Sequence, residues 1–410
     1  MYLTRLVLPV FGEIAIPTIV GKIANLPEVQ RLRHISLSNI DSCSLTAIGG
    51  VSRFEHSLGT AILAWELAKK LNLNKEFESE LILAGGLHDI AAPGLGHLFE
   101  EGCKLAGQDF NHESKLREIF LTEQNPYFQA YLGKELGCRK LMYDLDVKPE
   151  AVFDAIAGNG RCGVSINGSM DLDNIDNVAR MLSRLGPPIY YEKILSFINI
   201  FCIRNGIISI DSDKTYLFDE WLTSRKKLYN MLMLEPTDFA AKSMTKLAIA
   251  MGIKDSILST DDWRLTDYEI LYKLIKHKNT KELVERLLLG KYYRIIGMYW
   301  VEGEESLRIL QDNSEREELQ CQINKFLGKG IFIDYIRDKR ERTIDGPHPP
   351  VRALLGIISQ HSSIVNQEMK LCDEFVQTHF NILEKIPLCT STLPVGKALP
   401  GNQSRLPFAD

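Results

Sequence analysis

Apolar residues recur at helical spacing over most of the first 300 positions of the chain. The segment 53–71 places its apolar side chains on one stripe, whereas 78–90 is apolar on nearly every side, which is typical of a buried helix. The same spacing predicts further helices at 27–35, 112–121, 149–158, 171–185, 191–204, 216–234, 236–252, 265–276 and 281–290. We therefore predict a mostly α-helical fold.

The two ends of the chain carry a different pattern. Residues 3–19 alternate loosely around prolines and a glycine, which predicts a short N-terminal hairpin. Near the other end the pattern predicts strands at 329–336 and 351–359 and a helix at 371–384. We expect three parts: a helical catalytic unit over 1–300 with its core motifs in 50–190, a smaller mixed α/β region over 301–386, and a loosely ordered tail over 387–410.

Composition and charge exclude several classes of protein. The 410 residues include 48 Lys and Arg and 53 Asp and Glu, so no strong basic field draws the chain toward nucleic acid or an anionic membrane. The eight cysteines are scattered without a CxxC pair, which favours a reduced compartment over a disulfide scaffold. No apolar run approaches the ~20 residues of a membrane helix, and no signal peptide is evident, so we expect a cytoplasmic protein.

Four of the nine histidines lie between residues 56 and 112. His88 and Asp89 end the apolar segment, where a buried imidazole and carboxylate are costly unless they are paired or bind a metal. His56 lies early in an amphipathic helix, His97 follows a Gly-rich turn, and His112 comes 15 residues later. Imidazole and carboxylate ligands together suit a divalent metal, which activates water and offsets phosphoryl charge. A satisfied His–Asp pair at a helix end is the alternative.

The order of these motifs resembles a known family. The stretch Arg53–Gly59 (RFEHSLG), then His88 and Asp89, then a later Asp on a helix is similar to the HD-domain phosphohydrolases. Within them it is most similar to the deoxynucleoside triphosphate triphosphohydrolases, which include the bacterial dGTPases and the vertebrate SAM-and-HD-domain enzyme. The resemblance covers residues 5–190, continues more loosely to about 300, and implies an HD-domain helical core.

The resemblance implies a metal site and names its ligands. A divalent ion (Mn, Fe, Co, Ni, Zn or Mg) would be held by His56, His88, Asp89 and Asp173. Asp173 is chosen because Asp173-Asn174-Ile175 matches the pattern of the family. Asp176, one turn away, is then interpreted as a surface or capping carboxylate.

The resemblance also implies catalytic and substrate-binding residues. His97 and Glu100 would share one helix face near the attacked phosphate, and His112 and Arg53 would contact phosphate oxygens. Arg225 matches an arginine that reaches the triphosphate. The alternatives are turn packing for His97, a helix-start role for His112, a salt bridge to an acid for Arg53, and a solvated basic face for Arg225.

The chain departs from the family where the family contacts its substrate. Ala92 stands where the family has the first of two histidines. Asn174, Asn177 and Met181 replace residues that contact the triphosphate and sugar, and the sugar-contacting Gln-Leu pair is not evident in 34–38.

The leading hypothesis is a metal-dependent HD phosphohydrolase, a (d)NTP triphosphohydrolase that releases nucleoside and tripolyphosphate. One alternative is hydrolysis of another phosphate ester: a nucleoside monophosphate, a modified nucleotide or a cyclic nucleotide. The other is a catalytically inactive sensor that binds a nucleotide or a metal. The resemblance further implies a homo-oligomer, and we expect neither a membrane nor a nucleic acid as partner.

Overall fold

The computed structural model describes residues 4–39, 44–122, 137–185, 191–344, 350–361 and 366–388. Helices dominate these residues, with short antiparallel sheets, so the predicted mostly α fold class is confirmed. The chain divides into two units. The first comprises Met1–Ser224, Met244–Lys291 and Arg342–Pro347, and the second comprises Arg225–Ser243, Tyr292–Glu341 and His348–Asp410.

The chain up to Lys291 begins with the predicted hairpin and continues as helices. Its elements in chain order are β1 (Arg5–Leu8), β2 (Gly12–Ala15), α1 (Thr18–Ala24), α2 (Pro27–Arg31), α3 (Thr46–Gly49), α4 (Arg53–Lys70), α5 (Lys75–Leu87), α6 (His97–Leu105), α7 (His112–Leu121), α8 (Cys138–Asp144), α9 (Pro149–Ile156), α10 (Leu172–Arg184), α11 (Tyr191–Phe197), β3 (Phe201–Arg204), β4 (Ile207–Ile210), α12 (Thr215–Leu234), α13 (Pro236–Lys254), α14 (Asp267–Ile275) and α15 (Lys281–Leu288). Short 3-10 turns follow α2 and α11 and precede α10, α12 and α14.

Helices α4 and α5 form the centre of the first unit, and α10 packs against α4. Most side chains along α4 and α5 are buried, so α4 is buried on more than the single apolar stripe that its sequence predicts. Each of the three helices begins at a polar cap: Ser52, Asn74 and Asp171 accept hydrogen bonds from backbone N–H groups in the first turn. Asp171 is therefore the N-cap of α10. These helices bring residues 53–56, 88–89 and 173–176 into one region.

Two predicted helices end earlier than expected. In the segment 191–204, α11 stops at Phe197 and strand β3 pairs with β4 instead. Asn205 and Gly206 both adopt positive φ between these strands, which is the turn that an Asn-Gly pair favours. In the segment 371–384, the helix stops at His379 and a strand follows it. Residues 389–410 of the predicted tail lie outside the described residues.

The second unit contains a four-stranded antiparallel sheet. Its elements from residue 294 are β5 (Arg294–Glu302), α16 (Glu304–Gln311), α17 (Asn313–Leu327), β6 (Ile331–Arg337), β7 (Arg352–Ser359), α18 (Asn366–His379) and β8 (Ile382–Lys385). The sheet order is β6-β7-β5-β8, which with the intervening helices is the β-α-β-β-α-β arrangement of ferredoxin-like folds. The two predicted strands are confirmed as β6 and β7.

Both faces of this sheet are covered. Helices α17 and α18 pack on one face, and the other packs against Phe239 and its neighbours in the segment Arg225–Ser243. The division into units does not coincide with the predicted boundary at residue 300, because β5 begins at Arg294 and is an inner strand. In the part of the chain that the structure describes, every helix is too short or too polar to cross a membrane.

Candidate metal centre and neighbouring acid–base cluster

Two histidines from adjacent helices face each other across a narrow gap. His56 lies in the first turn of α4 and is 1% exposed, and His88 follows the last residue of α5. Their Nε2 atoms are 3.2 Å apart, and the rings meet edge to face. Two imidazole nitrogens that face each other at this distance are typical of two ligands that share one ion.

Asp173 completes this group, and Asp176 lies behind it. Asp173 Oδ1 is 2.9 Å from Nε2 of His56 and 3.8 Å from Nε2 of His88. Asp176 contacts the other ring nitrogen of His56, with Oδ2 2.8 Å from Nδ1. The two aspartates therefore contact different ring nitrogens of His56, although only one helical turn separates them.

The donor set fits a divalent metal ion. One atom each from His56, His88 and Asp173 can be chosen so that all lie within 4.8 Å of one another. Ligands bound to one ion at about 2.1 Å stand roughly 3.0–3.4 Å apart, which matches the His–His distance. Both histidines also use Nδ1 elsewhere: His56 against Asp176, and His88 against the carbonyl oxygen of Gly85 at 2.8 Å. Such outer partners fix the tautomer and leave Nε2 available for a metal.

The carboxylates of Asp173 and Asp176 favour a positive charge on or beside the ring of His56. Burial would lower the pKa of His56, but its hydrogen bonds to Asp173 and Asp176 outweigh burial and raise that pKa to about 10. Burial opposes ionisation of Asp176, but Arg180 and His56 hold the pKa of this carboxyl below its ordinary value. Arg180 donates to Asp176 at 2.8 and 2.9 Å and is fully buried. Positive charge near His56 Nε2, carried by a proton or a metal ion, balances these carboxylates.

Asp89 is paired with Arg53 at the edge of the pocket. Arg53 Nη1 donates to Asp89 Oδ2 at 2.8 Å, and the same oxygen lies 3.9 Å from His88 Nε2. Although burial favours the neutral acid, Arg53 and His88 hold the pKa of Asp89 well below its usual range. Arg53 also reaches Asn39 Oδ1 at 3.5 Å, whereas its Nε has no hydrogen-bond acceptor among the described residues. The metal-ligand role of Asp89 and the phosphate-binding role of Arg53 stay predictions.

The three residues with predicted catalytic roles form a second cluster. Glu100 Oε2 lies 2.9 Å from Nδ1 of His97, and Glu100 Oε1 lies 2.7 Å from Nδ1 of His112. His97 and Glu100 are one turn apart on α6, as predicted, and His112 begins α7. Burial would lower the pKa of His112, but the contact with Glu100 outweighs burial and raises that pKa above its ordinary value. Asp89 raises and Arg53 lowers the same pKa through space, so this cluster is within electrostatic reach of the metal pocket.

Two of the positions that depart from the family are buried, and a third hydrogen-bonds to a helix cap. Ala92 is 2% exposed, and Met181 is 2% exposed. Asn174 donates its side-chain N–H to the capping carboxylate of Asp171 at 2.9 and 3.0 Å.

Arg225 belongs to the second unit, where its Nε donates to the carbonyl oxygen of Lys339 and its guanidinium lies over the ring of Tyr229. Its predicted substrate contact stays a prediction.

The interpretation of Asp176 as a surface or capping carboxylate is wrong, because Asp176 is buried and pairs with Arg180 and His56. Sequence reasoning missed this pair. The i, i+4 spacing of an acid and a base on one helix is a signal for such a pair, but the same spacing is common on exposed faces. Burial of both partners identifies it as part of the site.

Comparison with known proteins agrees with this geometry. Residues 53–181 match the HD domain family model, and this range contains both clusters. The chain is also 23% identical over 333 residues to the uncharacterized protein MJ1154 of Methanocaldococcus jannaschii. That alignment covers 76% of this chain and 64% of the relative, so the chain spans less than two thirds of the relative's length. Residues 53–181, which hold both clusters, are therefore similar to an HD domain.

Proposed function

We propose that this protein is a metal-dependent phosphohydrolase that acts on nucleotides, with (d)NTPs as substrates and nucleoside and tripolyphosphate as products. The observation that carries the proposal is the 3.2 Å approach of His56 and His88 Nε2 with Asp173 Oδ1 beside both atoms. The neighbouring cluster of His97, Glu100 and His112 adds groups that hold protons next to this pocket. The triphosphate specificity rests on the resemblance of the motifs.

His56, His88 and Asp173 would hold the ion, with Asp89 at the edge of the pocket. When bound, a divalent ion supplies an acidified water and neutralises phosphoryl charge. In the overall reaction, water adds to the α-phosphorus, the bond to the 5′ oxygen breaks, and the nucleoside leaves with a proton on that oxygen. Glu100 keeps His97 and His112 oriented through their Nδ1 atoms. His97 with Glu100 would then move protons, and His112 with Arg53 would bind phosphate oxygens.

A substrate screen tests this function. The purified full chain would be incubated with the eight common NTPs and dNTPs and with Mn²⁺, Co²⁺ or Mg²⁺, and the phosphate products would be resolved. Tripolyphosphate and free nucleoside support the proposal, whereas release of orthophosphate alone contradicts triphosphohydrolase chemistry.

The double variant His88→Ala with Asp89→Ala tests the metal site. We expect loss of bound metal and of hydrolysis with nearly unchanged helix content by circular dichroism, because α4 and α5 keep their apolar contacts. Full activity in this variant would overturn the assignment. The matched control is Asp144→Ala, an exposed carboxylate at the end of α8 that pairs only with Lys140 in the described residues.

Hydrolysis of a different phosphate ester is the second candidate. The side chain of Ala92 is buried and has no polar atom, so it provides no substitute for the histidine of the family at this position. The same screen, extended to nucleoside monophosphates and to modified and cyclic nucleotides, separates the two candidates by their products. A stoichiometric metal without turnover on any of these compounds would instead favour a sensor.

A further inference from the structure

The turn between His88 and His97 joins the two clusters of the site. Asp89 lies at its beginning, and His97 starts α6 at its end. Leu95 and Gly96 both adopt positive φ, at 63° and 55°, so the turn is held in a conformation that its own residues do not all favour. Two buried charged side chains from distant parts of the first unit, Arg31 and Asp267, bind its backbone.

Arg31 binds the first half of the turn. It is 6% exposed, and its Nη2 donates to the carbonyl oxygens of Ile90 and Ala92. Its Nη1 lies 3.3–3.4 Å from the carbonyl oxygens of residues 263–265. One guanidinium therefore ties the backbone just after Asp89 to the 3-10 turn Thr260–Arg264.

Asp267 binds the second half of the turn. Its Oδ1 accepts the N–H of Leu95 at 2.6 Å, two residues before His97, and its Oδ2 accepts the N–H of Ser36 at 2.8 Å. The side chain is 9% exposed. Burial raises the pKa of Asp267 to about 6, although both backbone N–H groups favour its charged form.

Residues 259–269, which contact Arg31 and include Asp267, have helix starts that are fixed by hydrogen bonds. Capping boxes fix the starts of both of its helical pieces: Ser259 with Asp262, and Thr266 with Glu269. Gly94 packs so closely on this segment that a Cβ atom there would lie 2.7 Å from the carbonyl oxygen of Leu265. The turn therefore packs against a segment whose own helix starts are fixed by capping boxes.

We infer that Arg31 and Asp267 are positioning residues of the proposed hydrolase, which set the His97–Glu100–His112 cluster at its working distance from the metal pocket. This inference rests on the proposed function. The contacts of His56, His88 and Asp173 come from α4, α5 and α10 and do not involve Arg31 or Asp267. Loosening the turn should therefore separate catalysis from metal binding, since misplacement by about 1 Å can cost on the order of 100-fold in rate.

The test uses Arg31→Lys and Asp267→Asn in the full chain. A lysine ammonium lacks the fork that contacts both sets of carbonyl oxygens, and Asn has a single acceptor oxygen for two N–H groups. Lys70→Met is the matched control, because Lys70 also donates to two carbonyl oxygens, those of Ile198 and Phe201. Lys70 lies 14 residues after His56 on α4, which is about 21 Å along the helix.

Three measurements follow for each variant: hydrogen exchange of the peptide 89–97, Mn²⁺ affinity by calorimetry, and kcat and KM on the nucleotide that the wild type hydrolyses fastest. We expect faster exchange in 89–97, kcat reduced about tenfold or more, and a loss of Mn²⁺ affinity clearly smaller than the loss of kcat. The control should change none of these beyond about twofold.

Unchanged exchange in 89–97 would overturn the inference, as would a loss of Mn²⁺ affinity equal to the loss of kcat. Hydrogen exchange and Mn²⁺ binding do not depend on turnover. If the wild type hydrolyses no nucleotide, the proposed function fails, while these two measurements still decide whether Arg31 and Asp267 fix the turn.

Discussion

Replacing Asp176 by Asn removes a charge that two buried cationic groups share. Asn has almost the same size, but it cannot balance the Arg180 guanidinium and the ring of His56 together. Removing one partner of a buried ion pair costs about 3–5 kcal/mol. Glu55 offsets part of that cost, since its Oε2 lies 3.8 Å from Arg180. We therefore expect Asp176→Asn to lower the free energy of unfolding by about 3 kcal/mol. We also expect the affinity for Mn²⁺ to fall about 10–100-fold, because the imidazole of His56 loses the contact that orients it.

Urea unfolding and calorimetric titration with Mn²⁺ measure these two effects. Asp171→Asn is the control, because Asp171 is equally buried in the same region and Asn caps a helix about as well as Asp. Burial and Asp173 raise the pKa of Asp171 to about 7, so loss of its charge matters less. We expect about 1 kcal/mol or less for Asp171→Asn and wild-type Mn²⁺ affinity. Equal effects of the two substitutions would refute the role given to Asp176.

Three further outcomes are expected. The pKa of about 10 means that His56 is protonated in the metal-free protein below that pH, so an ion must displace this proton. The Kd for Mn²⁺ should fall about tenfold per pH unit between pH 6 and 8, and a pH-independent Kd would contradict this. Gly59→Ala should weaken Mn²⁺ binding and stability, because a Cβ there would lie 2.0 Å from Asp176 Oδ1, whereas Gly50→Ala meets no atom within 4 Å and should be neutral. Light scattering should give at least twice the mass of one chain, as the resemblance implies, and a monomer at micromolar concentration would contradict it.

The helices around the site could be predicted because their apolar faces are long and periodic. Segments 53–71 and 171–185 correspond closely to α4 and α10, and the capping role of Asp171 follows from its position before the first apolar turn. Strand β5 escaped prediction because it is buried over nearly its full length, so its sequence lacks the alternation of a half-exposed strand. The Asn205-Gly206 hairpin had a local signal, but the apolar residues before it also fit a helix.

The contacts that organise the site depend on residues far apart in the chain. Arg31 meets the carbonyl oxygen of Trp263 across 232 positions, and Asp267 meets Leu95 across 172. No local pattern encodes such pairs. The resemblance selected Asp173 over Asp176 through the motif Asp173-Asn174-Ile175, but spacing alone does not separate two acids that follow His88 on one helix. Only the positions of the two nitrogens of His56 place them on opposite sides of its ring.

Of the two roles that the sequence left open for Arg53, the structure shows the salt bridge, with Asp89 as the partner. A guanidinium presents five N–H donors along its edges, and the ion pair with Asp89 engages Nη1. The Nε and Nη2 atoms form the other edge, where the described residues offer only Asn39 Oδ1 at 3.5 Å from Nη2. A guanidinium edge can contact two oxygens of a phosphate, but the Nε atom of this edge is buried. Asp89 fixes the orientation of the guanidinium, and the phosphate-binding role of Arg53 stays a prediction.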